Sequence, residues 1–103
     1  MKVIVIPVDI NDKPYITNVC GDNSKTLLQS YYSIIDCRLI DIITLDEGED
    51  DALSVNAIID DEGEVFGKPI NQWFLLSGNL IAGVVIINMI DENTGECVEL
   101  DIE

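Results

Sequence analysis

The stretch LIAGVVIINMI, residues 80–90, is the most apolar part of the chain. Asn88 is its only polar side chain. A nearly continuous run of branched aliphatic residues is typical of a strand that is buried on both faces. The run is too short to span a bilayer. We therefore expect it to form the central strand of a sheet in a globular domain.

The flanking sequence predicts the other elements. Alternating or continuous apolar runs indicate strands over 2–8, 15–20, 34–45, 53–59 and 97–102. A short helix capped by Asn23 or Ser24 is expected through Leu27, Leu28 and Tyr31, and one helical turn over 72–77 capped by Asn71. The prediction is a single α+β domain over 1–103, with a roughly six-stranded, mixed or mostly antiparallel sheet and one or two short helices.

The charge is large and unevenly distributed. The 103 residues contain 20 Asp plus Glu, 5 Lys plus Arg and no His, so the net charge is -15. Residues 1–38 are neutral overall, whereas Lys68 is the only base among residues 39–103. Nucleic-acid phosphates and anionic membrane surfaces both require basic patches, so direct binding to either is disfavoured.

The sequence offers no catalytic or metal motif. A nucleophile paired with His is impossible, and the glycine-rich nucleotide-binding and G-x-S-x-G patterns are missing. The triplet Asp91-x-Asn93-x-Gly95 partly matches a calcium loop, but its glycine comes one place early and Ile102 takes the twelfth position. We interpret it as a hairpin turn and the acidic run 46–51 as a solvated loop. We expect no enzyme activity, catalytic residue, cofactor or metal.

The cysteines and the beginning of the sequence indicate a compartment. Cys20, Cys37 and Cys97 form an odd set without C-x-x-C spacing, which favours reduced, buried thiols. The apolar run after Lys2 is interrupted at Pro7 and Asp9, with no small-residue cleavage site after it. A cytoplasmic protein is expected.

One segment carries a family resemblance. An acidic turn with Gly63 precedes G-x-P-x-N (Gly67 to Asn71), then an apolar strand with Gly83 and an acidic hairpin over 91–96. This order, with the early strands and helix, resembles a family of small phage and mobile-element proteins catalogued as domain of unknown function 3846. Relatives usually have basic residues after the asparagine, where this chain has Gln72-Trp73-Phe74. The resemblance implies a phage setting, and hence counter-defence in the host cytoplasm, without implying an activity.

The first hypothesis is sequestration of a small ligand, for instance a nucleotide immune signal. The loop that carries the resemblance would be the site, with these ligand-binding residues: Gly67, Lys68, Asn71, Gln72 and Trp73. Backbone N–H groups and the lysine would take phosphate, the asparagine would read a base edge and the indole would stack on it. Trp73 as a core or subunit-interface residue is the alternative. Such a site would form most naturally between subunits of a homo-oligomer.

The second hypothesis makes the acids themselves functional. Grouped carboxylates would imitate nucleic-acid phosphates and block a basic groove on a host nuclease or transcription protein. The candidate partner-binding residues are Asp46, Glu47, Glu49, Asp50, Asp51, Asp60, Asp61 and Glu62. A structural or regulatory partner-binding domain is a third, less specific alternative.

Overall fold

The computed structural model describes residues 2–19, 24–47, 53–76, 78, 80–91 and 96–98. Two helices and six strands follow one another in the order β1 (Lys2–Ile6), β2 (Tyr15–Asn18), α1 (Ser24–Ile35), β3 (Ile40–Glu47), β4 (Leu53–Asp60), α2 (Gln72–Leu75), β5 (Val85–Asp91) and β6 (Glu96–Val98). No helix in these ranges is long and apolar enough to cross a membrane.

The described strands form one antiparallel sheet. Five of them lie side by side in the order β2-β1-β5-β4-β3. The three-residue β6 is not part of this order and pairs with the last residues of β5. The predicted central position of the 80–90 stretch is confirmed, although β5 begins only at Val85. The α+β class and the antiparallel sheet are confirmed as well. The expectation of about six strands is met only in part, since five strands make up the continuous order and β6 adds a three-residue pairing with β5.

Helix α1 covers one face of the sheet. Tyr31 and Ile35 pack with Val3, Ile58 and Ile86 in one buried cluster. Leu27, Tyr31 and Ile35 are spaced four residues apart, so they lie on the same side of the helix. On the same side of the sheet, Asn88 Nδ2 donates to the Tyr31 hydroxyl at 3.1 Å. This face is the larger of the two apolar layers.

The segment around α2 covers part of the opposite face. Ala57, Ile81 and Val85 form a second buried cluster, against which Ile6 and Phe74 pack. The single turn of α2 is only four residues long, and a helix this short depends on its capping residue and on tertiary contacts. The predicted turn and its Asn71 cap are confirmed.

The predicted strand over 34–45 is wrong at its beginning. Ile34 and Ile35 extend the apolar face of α1 by a further turn, and the helix ends where Asp36 takes a positive φ of 59°. The N–H of Cys37 then donates to the Tyr32 carbonyl at 3.1 Å, which is the longer hydrogen bond of a Schellman helix end. Consequently β3 begins at Ile40.

Candidate functional site

Asn71 is at the centre of the predicted ligand loop and is completely buried. Its Oδ1 accepts from the N–H groups of Trp73 and Phe74, which caps α2. Its Nδ2 donates to the carbonyls of Ile6, at 3.2 Å, and Gly83, at 3.0 Å. Two acceptor and two donor positions are the full capacity of an asparagine side chain. A ligand could use Asn71 only by breaking these contacts.

Gln72 and Trp73 hold the turn that follows β1. The Ile10 N–H donates to Gln72 Oε1 at 2.8 Å, and the Gln72 N–H donates to the Val8 carbonyl at 2.8 Å. The Trp73 indole N–H is shared between the carbonyls of Asp9 and Asp12. Both side chains therefore hold the chain together, and their predicted ligand role stays a prediction.

Lys68 ties three parts of the fold together. Its ammonium lies 2.6 Å from Asp60 Oδ2 and donates to the carbonyls of Ile35 and Asp36. Those carbonyls belong to the end of α1, where a cation is favoured by the helix dipole. An ammonium has three donors, and each has an acceptor here. Lys68 is thus engaged within the chain, and its predicted role toward phosphate also stays a prediction.

Two glycines shape the turn over 61–67. Gly67 has a positive φ of 70°, and a Cβ added there would meet nothing within 4 Å. At Gly63 an added Cβ would come within 2.9 Å of the Ala82 carbonyl oxygen, because the turn packs closely on the segment before β5. The G-x-P-x-N loop thus begins at Gly67, whose left-handed backbone conformation favours glycine, and ends at the buried Asn71.

Arg38 forms a second ion pair next to this turn. Its Nε and Nη2 donate to the two carboxylate oxygens of Glu62, at 2.7 and 2.9 Å, and its guanidinium lies 5.4 Å from the Phe66 ring centroid. These hydrogen bonds lower the pKa of Glu62 and raise that of Arg38. This pair could not be recognised from the sequence, because Arg38 comes before β3 and Glu62 comes after β4.

A surface cavity of about 310 Å³ is lined by members of both ion pairs. It is lined by Asp36, Cys37, Arg38, Asp60, Phe66 and Lys68. Burial raises the pKa of the Cys37 thiol, and the negative charge of Asp60 raises it further. A raised pKa disfavours the thiolate, which is the nucleophilic form, and this agrees with the interpretation of Cys37 as a small, partly buried side chain.

The predicted partner-binding acids have different environments. Asp60 is only 6% exposed and paired with Lys68, and Glu62 is paired with Arg38, whereas Asp61 is exposed. The prediction of a solvated loop over 46–51 is wrong for Asp46 and Glu47, because both pair with β4 as the last two residues of β3. Their side chains are outside the described set. The remaining three, Glu49, Asp50 and Asp51, lie outside the described residues, as do Asn93 and Gly95 of the predicted hairpin turn.

A group of carboxylates forms around Asp61. Together with Asp41 and Glu64 it lines a cavity of about 200 Å³, whose apolar wall includes the exposed Val65 and Leu80. Asp41 and Glu64 were not among the predicted partner-binding residues. The alternation in β3 could have identified Asp41, since it places this residue on the opposite face from Ile40.

A third cavity has a different chemistry. It has a volume of about 450 Å³ and lies between β2 and α1. The lining residues that the structure describes are all uncharged: Thr17, Asn18, Val19, Thr26, Gln29, Ser30, Ser33 and Ile34. It belongs to the part of the chain that is neutral overall.

Comparisons with known proteins leave the family open. No family model, curated protein or solved structure matches this chain. Among the described residues, no three His, Cys, Asp or Glu side chains are grouped so that they could hold a metal ion. The resemblance to the phage family stays a prediction, and functional inference depends on the geometry of this chain.

Proposed function

We propose that this protein is a non-catalytic binding protein whose grouped carboxylates imitate nucleic-acid phosphate and block a basic groove on a partner. Following the phage resemblance, the partner class is a host nuclease or transcription protein, and the role is counter-defence. The observation that carries the proposal is that Lys68 and Arg38 form ion pairs within the fold, whereas no ion pair to Asp41, Asp61 or Glu64 is found among the described residues.

The charge count supports this choice. With 20 acids and 5 bases, one-to-one pairing of every base would still leave 15 carboxylates without a basic partner. Grouped carboxylates repel one another, and a complementary basic surface relieves that repulsion. Such a complex forms quickly and weakens with salt, as the complex of a basic protein with DNA does.

Competition with DNA tests the proposal. A fluorescent duplex is bound to each of a panel of purified host nucleases and transcription proteins, and the present protein is titrated in while anisotropy is measured. We expect displacement from at least one basic protein, with the affinity falling about tenfold or more when salt is raised from roughly 50 to 200 mM. Failure to displace DNA from any member at low salt would overturn the proposal.

A matched pair of double variants tests which acids act. Asp61→Asn with Glu64→Gln removes two charges from the carboxylate group, and Asp9→Asn with Asp12→Asn removes two charges elsewhere. If the group around Asp61 contacts the partner, the first variant displaces DNA more weakly than the second. Equal effects would mean that only the total charge matters and would argue against a defined acidic site.

Ligand sequestration is the second candidate, and the uncharged cavity between β2 and α1 favours it. Hydroxyl and amide groups line this cavity, and such groups suit a neutral polar ligand portion such as a nucleobase or a sugar. This cavity replaces the 67–73 loop as the candidate site, because the side chains of that loop are engaged in the fold.

Thermal melting with a panel of cyclic and linear nucleotides tests this candidate. A ligand present at about 100 times its Kd should stabilise the protein by roughly 2.7 kcal/mol and raise Tm. Gln29→Ala should remove the rise, whereas Gln72→Ala, a control outside the cavity, should retain it. No change with any nucleotide would contradict sequestration of that ligand class.

A further inference from the structure

Strand β3 forms a long edge of the sheet. It pairs with β4 from Ile40 to Glu47 and is the last strand of the sheet path, so no strand in the described ranges pairs with its outer edge. Alternate residues of an edge strand direct their N–H and C=O groups away from the sheet, where another strand can bind them. The opposite edge strand, β2, has half the length of β3.

The outer edge of β3 is closed locally by an acidic side chain. The Ile42 N–H donates to Asp41 Oδ1 at 2.9 Å. A carboxylate on an edge strand also opposes pairing with a second copy of an acidic chain, because the like charges repel. A basic side chain on an incoming strand would instead attract Asp41 and release the Ile42 N–H.

The same strand exposes apolar side chains on both faces. Ile42, Ile43 and Leu45 are 50%, 37% and 44% exposed. Ile43 lies two residues from Asp41 and shares its face, which also carries the carboxylate group of Asp61 and Glu64. A strand that binds here would meet carboxylates at one position and an isoleucine two residues along.

We propose that β3 is a docking edge for an extended basic segment of a partner protein. The segment would add a strand to the sheet, with Lys or Arg opposite Asp41 and apolar residues opposite Ile42 and Ile43. Charge complementarity selects this partner over a second copy, since the net charge of each copy is -15. This inference rests on the proposed function and names the surface and the kind of segment that it engages.

A nuclear magnetic resonance titration tests the docking edge. The probe is a ten-residue peptide built from the repeat Lys-Val-Ile, which places apolar residues opposite Ile42 and Ile43 when a lysine lies opposite Asp41. It is added to the isotope-labelled protein, and a version with glutamate in place of lysine is the control peptide. We expect the largest amide shift changes over residues 41–45 and slower hydrogen exchange of the Ile42 amide. Shift changes confined to other regions would overturn the docking edge.

Two lysine variants separate edge pairing from overall charge. Ile42→Lys on β3 and Ile16→Lys on β2 both replace a half-exposed isoleucine and both add one positive charge. We expect Ile42→Lys to weaken peptide binding about tenfold or more, and Ile16→Lys about twofold. Equal weakening by the two variants would overturn the docking edge.

A conservative variant guards against loss of folding. Asp41→Asn keeps an oxygen that can accept from the Ile42 N–H but removes the charge, and we expect peptide binding to weaken about three- to tenfold. Unchanged binding would contradict the role of Asp41.

If Ile42→Lys still displaces DNA as well as the unmodified protein does, the docking edge fails while the proposed function stands. If the unmodified protein displaces no DNA, the proposed function fails.

Discussion

At the scale of single residues, Asn71 connects three parts of the chain. Its side chain joins the end of β1 at Ile6, the start of α2 and the segment before β5 at Gly83. In a buried environment each unmade hydrogen bond leaves a polar backbone group without compensation. These hydrogen bonds account for an asparagine at this position of the G-x-P-x-N pattern.

Replacing Asn71 by alanine should destabilise the protein strongly. We expect a loss of roughly 2–4 kcal/mol in the free energy of unfolding, because a helix cap and two buried hydrogen bonds disappear together. Urea denaturation followed by circular dichroism measures it. Asn11→Ala, at an exposed asparagine in a turn, is the control and should cost much less. A loss below about 1 kcal/mol at Asn71 would contradict this role.

Lys68 compensates the buried carboxylate of Asp60. Lys68→Met should cost about 3 kcal/mol or more, because it leaves Asp60 buried without its counter-charge. Arg38→Gln breaks the neighbouring ion pair, in which the arginine side chain is 73% exposed, and should have a small effect. Denaturant unfolding of both variants checks the contrast, and equal costs would contradict it.

The Arg38–Glu62 pair should contribute to the pH dependence of stability. The pKa of Glu62 is lowered in the fold, so its stabilising contribution is present above the usual glutamate pKa and is lost as the pH falls through the lowered value. The stability difference between the unmodified protein and Arg38→Gln should therefore shrink on acidification. Urea titrations from pH 7 to about 3 measure it, and a difference that grows would contradict the assignment.

At the scale of elements, the turn over 61–67 depends on close backbone packing. Gly63→Ala should destabilise by about 1–3 kcal/mol, because the new Cβ would collide with the Ala82 carbonyl, a backbone atom that cannot move alone. Gly67→Ala meets no atom and should cost only the roughly 1–2 kcal/mol of its left-handed conformation. Thermal unfolding compares them, and a tolerated Gly63→Ala would show that the turn can move away.

Sequence patterns predicted most elements because their causes are local. The continuous aliphatic run of β5 and the Asn71 cap of α2 can be recognised without tertiary information. The end of α1 could not, because isoleucines at 34 and 35 suit a strand by propensity and a helix by their spacing from Tyr31. Residues 34 and 35 are helical because their side chains pack against the sheet as part of α1.

The candidate site was less predictable than the fold. Lys68 is isolated in sequence from other bases, which suggested a ligand role. Its acceptors Ile35, Asp36 and Asp60, however, lie far from it in sequence. Only the folded chain shows that the ammonium of Lys68 is hydrogen-bonded and ion-paired within the protein. The same limit applies to the cavity that Asp41, Asp61 and Glu64 line, because it depends on the β3–β4 pairing and on the turn after β4.

At the scale of the whole molecule, charge repulsion opposes folding. The net charge of -15 on 103 residues is concentrated beyond residue 38, and salt screens such repulsion. Raising the salt from about 50 to 500 mM should increase Tm by several degrees. Equal increases with sodium and potassium chloride would indicate screening, and a falling Tm would show that the ion pairs outweigh the repulsion.

The sheet order limits how much of the protein can fold while it is being synthesised. Strand β1 pairs on one side with β2 and on the other with β5, whereas β2, α1, β3, β4 and α2 all lie between β1 and β5 in sequence. Contacts between distant segments form slowly. While a ribosome is still translating the middle of the chain, β1 has only β2 to pair with. The centre of the sheet can close only after β5 has left the exit tunnel, so the nascent chain exposes its apolar strands until late in translation.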